Sequence, residues 1–114
     1  MSLAVEPGDL AGVAQQHGPA AYVLTTGADG RPRVIHVAVD VADDGTISGV
    51  VGRSAAANAV DRPNLCVLWP PAADGFSLIA DGAATVNGEP SPDTPITITV
   101  TSAVRHRPAR SQNQ

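Results

Sequence analysis

The sequence has 114 residues, of which 43% are hydrophobic and 16% are charged, and its net charge at pH 7 is −4. This length is enough for one domain with one core, and no apolar run approaches the roughly 20 residues that a membrane-spanning helix needs. The acidic balance and the three aromatic residues argue against nucleic acid binding, because phosphates would be repelled and few side chains could stack on bases.

The N-terminal segment MSLAVEPGDL carries acidic residues and only a short apolar run, whereas a signal peptide needs a basic start and a longer apolar core. We therefore expect a cytoplasmic protein without a membrane partner. All of the acidic residues precede Arg105, and three of the seven arginines crowd the C-terminal end of the chain. We expect one domain over residues 1–107, followed by a polar tail over 108–114.

Most of the chain has the alternating pattern of short strands. The segment DLAGVAQQH predicts a helix over 9–17, with Asp9 as its N-cap and Gly18-Pro19 as its end. Turn signals such as Asp29-Gly30 separate the strands, and Pro63 limits a second helix to about two turns over 54–62. The predicted strands cover 20–26, 33–41, 46–52, 64–69, 76–88 and 96–104. Six strands joined by hairpins, with only short flanking helices, predict a mainly β protein folded as an antiparallel barrel.

The predicted strand NLCVLW is apolar on both of its faces. Leu65, Val67 and Trp69 alternate along it with Cys66 and Leu68. A small barrel has a single interior, so the second face would be exposed unless another chain covered it. We therefore predict a homodimer with two-fold symmetry, in which this strand lies at or near the interface.

The sequence indicates neither a hydrolase nor a metal site. Cys66 is the only cysteine, which excludes a disulfide within the chain and a metal site built from several cysteines. The histidines His17, His36 and His106 lie on three different predicted elements, without the spacing of a helical metal site. The glycine fingerprints of P-loop and Rossmann nucleotide sites are also missing from the sequence. No side chain is identified as a catalytic acid or base.

The segment GRSAAAN, residues 52–58, has two interpretations. Ser54 is a residue type that commonly caps a helix, and the amides of a first helical turn attract anions. Arg53 adds a forked donor that suits phosphate, and Ala57 leaves the capping-box position without a glutamate. The segment is therefore either an anion site or a capped turn that joins two strands.

The order of the elements resembles the pyridoxamine 5′-phosphate oxidase-like family of FMN-binding split barrels. The resemblance covers residues 8–107 and is carried by the motifs TTGADGRPRV, GVVGRSAAANAVDRPNLCVLW, ADGAATV and ITVTSAVRHRPA. For such a family, this resemblance implies a six-stranded split barrel and a homodimer with two FMN sites at the subunit interface. The chain lacks the longer helical insertions that complete the substrate pocket of the vitamin-converting oxidases, which argues against pyridoxamine phosphate as the substrate.

The resemblance also implies which residues hold the cofactor. Arg33, in the second-strand segment, and Arg53, Ser54 and Asn58, in the turn and helix start, would bind the flavin phosphate. Ala55, Ala56 and Ala57 stand where family members often carry further basic residues. The backbone along two neighbouring strands would line the isoalloxazine ring, and the basic C-terminal end would face the cofactor or substrate. The strand residues are His36, Val37, Ala38, Val50 and Val51, and the C-terminal ones are Arg105, His106 and Arg107.

The resemblance points to a small FMN-binding protein that acts as an oxidoreductase on an unidentified small molecule. Two alternatives remain open. One is the use of the deazaflavin cofactor of related actinobacterial split barrels, which the lysine-free composition, rich in alanine, glycine and arginine, makes admissible. The other is a dimeric barrel without catalytic activity that has lost its cofactor or only sequesters a flavin or haem, with His36 or His106 as the axial ligand of a haem.

Overall fold

Seven strands and two helices make up the part of the chain, residues 1–109, that the computed structural model describes. In chain order they are β1 (Ser2–Ala4), α1 (Pro7–Gln15), β2 (Ala20–Thr26), β3 (Pro32–Val41), β4 (Ile47–Val51), α2 (Arg53–Asp61), β5 (Asn64–Trp69), β6 (Ser77–Val86) and β7 (Thr94–His106). The predicted tail is described only for residues 108 and 109, which belong to neither a helix nor a strand, and its remainder lies outside the described residues.

Strands β2 to β7 form a closed antiparallel barrel. Their hydrogen-bonded order is β7-β4-β3-β2-β5-β6, and β6 pairs with β7 to close the ring. Strand β7 is long enough to pair with β4 near its start and with β1 near its end, on the edge opposite β6. The prediction of a mainly β protein with a six-stranded antiparallel barrel and short flanking helices is confirmed, and β1 is an additional strand.

Strand β1 was not expected from the sequence. Its three residues are all exposed, so the segment has no alternation of buried and exposed positions. It is held by its partner, with Ser2 opposite His106 and Ala4 opposite Val104. A strand stabilised by pairing with residues about a hundred positions away leaves no local signal in the sequence.

Side chains alternate between the core and the surface along the barrel strands. In β2 the buried residues are Ala21, Val23 and Thr25, and in β5 they are Leu65, Val67 and Trp69. In β3 the face that includes Ile35 and Val37 is half-buried and the opposite face is exposed, as the sequence pattern predicts. Leu10 of α1 is fully buried and packs in the same core. None of the helices within residues 1–109 is long and apolar enough to cross a membrane.

Both helices begin earlier than the sequence pattern predicts. Helix α1 starts at Pro7 after Glu6, so the assignment of Asp9 as its N-cap is wrong and Asp9 lies in the first turn. Proline suits the first helical position because its φ angle is already helical and its missing N–H would have no partner there. Helix α2 starts at Arg53, with Gly52 as its extended N-cap residue and the Gly52 carbonyl accepting from the Ala56 amide. The assignment of Ser54 as N-cap is therefore also wrong, because Ser54 is the second helical residue.

A β-bulge in β7 reverses which side chains point inward. The register between β6 and β7 shifts between Asp81, opposite Ser102, and Gly82, opposite Val100, so Thr101 has no direct partner. Even-numbered residues of β7 such as Ile96 and Ile98 are buried before the bulge, whereas Ala103 is buried after it. The strand also begins at Thr94 rather than 96, because Thr94 and Pro95 continue the pairing with β4.

We predict that Gly82→Ala lowers the free energy of unfolding by about 1 to 3 kcal/mol, as overpacking does in a closely packed core. A Cβ at residue 82 would lie 2.6 Å from the Thr99 carbonyl oxygen and 2.7 Å from Cγ2 of Ile98. The control is Gly12→Ala in α1, where a Cβ meets nothing within 4 Å and should stabilise the helix by about 0.5 to 1 kcal/mol. Urea unfolding of both variants measures the difference, and equal stability of the two would contradict the crowding at Gly82.

Candidate functional site

A cavity of about 540 Å³ lies between the β2–β3 hairpin and the start of α2. We call it the hairpin–helix cavity. It brings together three of the residues predicted to bind phosphate, Arg33, Ser54 and Asn58. The remaining lining residues come from β2, the β2–β3 turn, β3 and α2, and are Thr25, Gly27, Ala28, Asp29, Val34, Ile35 and Ala55.

The hairpin has a defined shape because its backbone and one side chain are hydrogen-bonded. The Gly27 amide donates to the Arg31 carbonyl at 2.8 Å, and the Gly30 amide donates to the Gly27 carbonyl at 2.9 Å. Gly30 has a φ of +80°, a conformation that favours glycine. Asp29 Oδ1 accepts from the Arg31 amide at 3.0 Å, which orients the carboxylate.

Arg33 supplies the cationic side chain of the cavity and is already paired. Its Nη2 donates to Asp29 Oδ2 at 3.1 Å, and its Nη1 donates to the Pro32 carbonyl at 3.3 Å. The bond from the Arg31 amide lowers the pKa of Asp29 below its ordinary value, and the nearby Arg33 charge adds to this effect. The carboxylate is therefore ionised at neutral pH, and the Arg33 and Asp29 charges balance each other.

The start of α2 contributes hydrogen-bond donors to the cavity, although the side chains of Ser54 and Ala55 carry no charge. The first amides of a helix have no partner within the helix, and α2 has no side-chain capping bond and no acidic residue in its first turn. Ser54 and Ala55, which line the cavity, belong to that turn. The positive end of the helix dipole therefore adjoins the cavity and favours an anion there.

Asn58 connects α2 to the barrel one turn further along the helix. Its Nδ2 donates to Oγ1 of the buried Thr25 at 3.1 Å, and its Oδ1 accepts from Arg62 Nη2 at 3.4 Å. Arg62 Nε in turn donates to the Thr26 carbonyl at 2.7 Å. These bonds hold the helix against β2. The sequence interpretation missed Thr25 and Arg62. The i, i+4 spacing of Asn58 and Arg62, the C-cap residue of α2, is the local signal that could have linked those two side chains.

Several other predicted residues lie beside the cavity rather than in it. Arg53 is exposed at the first position of α2 and does not line the cavity. The predicted ring-lining residues lie on the paired strands β3 and β4, where Val39 is opposite Gly49. His36 and Ala38 are exposed, Val37 is half-buried, Val50 is exposed and Val51 is buried.

His36 stacks on an aromatic neighbour on the outer face of the sheet. Its ring lies 4.6 Å from that of Tyr22, with 24° between the ring planes.

The basic C-terminal end is remote from the hairpin–helix cavity of the same chain. Thr94 is opposite Val51, next to the start of α2, whereas Arg105 lies eleven residues further along β7, which corresponds to roughly 35 Å of extended chain. The Arg105 guanidinium is bonded to Asp74 and lies 4.6 Å from the centre of the Phe76 ring. His106 Nδ1 lies 3.0 Å from Ser2 Oγ. Within one chain, therefore, Arg105 and His106 do not join the residues that line the cavity.

No protein-family model and no curated protein matches this sequence, but solved structures match its fold. A Clostridium acetobutylicum protein related to general stress protein 26, of the pyridoxinephosphate oxidase family, has a TM-score of 0.70 at 11% identity over 90% of this chain and 91% of its own. A candidate 5-nitroimidazole antibiotic resistance protein from Bacteroides thetaiotaomicron has a TM-score of 0.69 at 12% identity over 92% of this chain and 86% of its own. A Listeria innocua protein named as a candidate pyridoxamine 5′-phosphate oxidase has a TM-score of 0.65 at 15% identity, over 82% and 94%. The chain thus has the split-barrel fold of pyridoxamine 5′-phosphate oxidase-like proteins.

A second cavity, of about 520 Å³, contains Cys66 and Asp81 on the outer face of β5 and β6. Burial raises the pKa of the Cys66 thiol to about 11, and the negative charge of Asp81 acts in the same direction. The thiol is therefore protonated at neutral pH and is a poor nucleophile. In residues 1–109 there is also no cluster of three side chains suited to bind a metal.

We predict that alkylation of Cys66 by iodoacetamide accelerates steadily from pH 7 to pH 10, because only the thiolate reacts and the thiol pKa is about 11. An unperturbed thiol, such as that of glutathione, should level off near its ordinary pKa of about 8.5. Asp81→Asn should move the Cys66 profile to lower pH, since it removes a charge that disfavours the thiolate. A wild-type profile that levels off near pH 8.5 would contradict the assignment.

Proposed function

We propose that this chain forms a homodimeric split barrel that binds FMN, with the flavin phosphate in the hairpin–helix cavity. The observation that carries the proposal is that Arg33 and two first-turn residues of α2, Ser54 and Ala55, line one cavity. Each of these groups can donate a hydrogen bond to a phosphate oxygen, and Arg33 can donate two. The ligand is suggested by the resemblance of the sequence to FMN-binding split barrels, and two of the structures described above, which share the fold, are named for the pyridoxamine 5′-phosphate oxidase or pyridoxinephosphate oxidase group.

The residues around the cavity have distinct roles in this proposal. Asn58 positions the helix start through its bond to Thr25, and Arg53 adds positive charge from the solvent side. The backbones of β3 at His36, Val37 and Ala38 and of β4 at Val50 and Val51 would line the isoalloxazine ring. A bound flavin would supply hydride or electron transfer to a small-molecule substrate, while the polypeptide supplies binding and orientation. Arg105 and His106 would reach a site only from the other subunit of the dimer.

The cavity has few charged groups that are free to bind a phosphate, which favours a weak cofactor site. Arg33 already faces a carboxylate, and Ala55, Ala56 and Ala57 add no charge to the start of α2. Charge-assisted hydrogen bonds contribute roughly 1.5 to 3 kcal/mol each, so a site with few of them binds a phosphate less tightly. Two alternatives therefore remain, a deazaflavin-binding protein and a dimeric barrel that no longer uses a cofactor. The thermal unfolding experiment described below separates them from the FMN proposal.

We predict that the wild-type protein binds FMN and that Arg33→Gln weakens this binding about tenfold, because a charge-assisted contact to the phosphate is lost. The matched control is Arg31→Gln, since Arg31 lies on the same hairpin, 3.8 Å from Asp29 Oδ2, but does not line the cavity. Quenching of flavin fluorescence measures the dissociation constants. Comparable losses in both variants would place the phosphate outside the cavity.

Thermal unfolding with saturating ligand separates the alternatives, because a ligand that binds the folded state raises the melting temperature. A shift with FMN supports the proposal, whereas a shift with a deazaflavin alone supports the deazaflavin alternative. If neither compound shifts the melting temperature, the cofactor proposal fails and a cofactor-free barrel remains.

The dimer is proposed from an apolar row on the outer face of the barrel. Tyr22 is opposite Leu68 and Leu68 is opposite Ile79, so these half-buried side chains form a row across β2, β5 and β6. Exposed Val34, 56% accessible, lies on neighbouring β3. A second copy related by a two-fold axis would cover this face, which the barrel itself does not bury.

We predict that Leu68→Glu converts the dimer to a monomer, because it places a charge in the proposed interface at the centre of the apolar row. The control is Thr85→Glu, which adds the same charge at an exposed position of β6. Sedimentation velocity at micromolar concentration measures the oligomeric state. A monomeric wild-type protein, or a Leu68→Glu variant that remains as fully dimeric as Thr85→Glu, would contradict this interface.

A further inference from the structure

We infer that Asp29 sets the affinity and the charge preference of the hairpin–helix cavity by holding Arg33 and placing a carboxylate beside the bound anion. The inference rests on the proposed function, since it concerns the phosphate end of the same ligand. It adds a residue that the sequence interpretation treated only as part of a turn. The phosphate and the Asp29 carboxylate would therefore compete for the Arg33 guanidinium.

The carboxylate is fixed in place by the hairpin. Oδ1 accepts from the Arg31 amide at 3.0 Å, while Oδ2 accepts from Arg33 Nη2 at 3.1 Å. Gly27 packs closely against this group, because a Cβ on Gly27 would lie 3.0 Å from Asp29 Oδ1. If Asp29 turned away, it would lose its backbone bond. The longer and more flexible Arg33 side chain is therefore the partner that rearranges when an anion enters.

A bound anion can displace Asp29 from its ion pair with Arg33. The Arg33 and Asp29 side chains are 51% and 48% exposed, and exposed ion pairs are held only weakly. A phosphate offers the guanidinium two acceptor oxygens and more negative charge than one carboxylate. Asp29 would nevertheless stay beside the phosphate and repel it, since its carboxylate remains ionised. The repulsion applies to the phosphate of FMN but not to riboflavin, which has the same ring and no charge.

The test compares Asp29→Asn with Asp44→Asn. Asparagine keeps the Oδ1 acceptor that both turns require, because Asp44 Oδ1 accepts from the Thr46 amide at 2.9 Å as Asp29 Oδ1 does from Arg31. Asp44 lies in the β3–β4 hairpin and does not line the hairpin–helix cavity. Both variants therefore lose one negative charge from an equivalent turn, and only one of them loses it in the cavity.

We predict that Asp29→Asn strengthens FMN binding about three- to tenfold and leaves riboflavin binding unchanged, whereas Asp44→Asn changes neither. Isothermal titration with each flavin measures the constants, and a thermal melt of each variant verifies that it is folded. FMN binding that is detectable only in Asp29→Asn would also support the inference.

Three results would overturn the role of Asp29. Equal FMN affinity of the wild type and Asp29→Asn, or weaker binding by Asp29→Asn, would show that the carboxylate does not oppose the anion. An equal gain for FMN and riboflavin would show that charge is not the cause. In these cases the proposed FMN site stands, because the wild type still binds FMN. Failure of all three proteins to bind FMN would overturn the proposed function, and the inference with it.

Discussion

The pairing of β7 along both of its edges is the constraint on which the rest of the structure depends. One edge bonds to β4 and, further along, to β1, while the other edge bonds to β6. Without β7, the other five barrel strands would form an open sheet with two free edges, and closure removes both edges. The bulge at Thr101 and the missing side chain at Gly82 let β7 and β6 approach closely where the strand changes its inward face.

The candidate site forms where two neighbouring strands of the barrel differ in length. Strand β3 has ten residues and β4 has five, so the first half of β3 has no partner from β4. The chain leaves β4 at Val51, turns at Gly52 and enters α2, whose start lines the same cavity as Arg33, Val34 and Ile35 of β3. The bonds from Asn58 to Thr25 and from Arg62 to Thr26 then hold the helix against the barrel. A cavity lined by a hairpin and a helix start is the result.

The electrostatic character of this cavity follows from a small number of groups. The helix start contributes dipole and amide donors, Arg33 contributes a guanidinium, and Asp29 contributes the opposing charge. The alanines of α2 let the helix pack tightly, since Ala55, Ala56 and Ala59 are buried, but they add no charge. Small alanine side chains suit the packing of this nine-residue helix against the barrel, whereas basic side chains would strengthen anion binding. The sequence has alanines at these positions.

The sequence by itself determined the strands, the hairpins and the barrel class, because these follow from alternation and turn residues that act over a few positions. Its resemblance to a known family also selected Arg33, Ser54 and Asn58, which the structure places around one cavity. Only the tertiary structure decided the start of α2 at Arg53, the pairing of Arg33 with Asp29, and the separation of Arg105 and His106 from the cavity. It also decided the existence of β1, whose Ser2 meets His106 across 104 positions. The physical reason is that periodicity records which face of an element is apolar, whereas barrel closure decides which elements, and which charges, become neighbours.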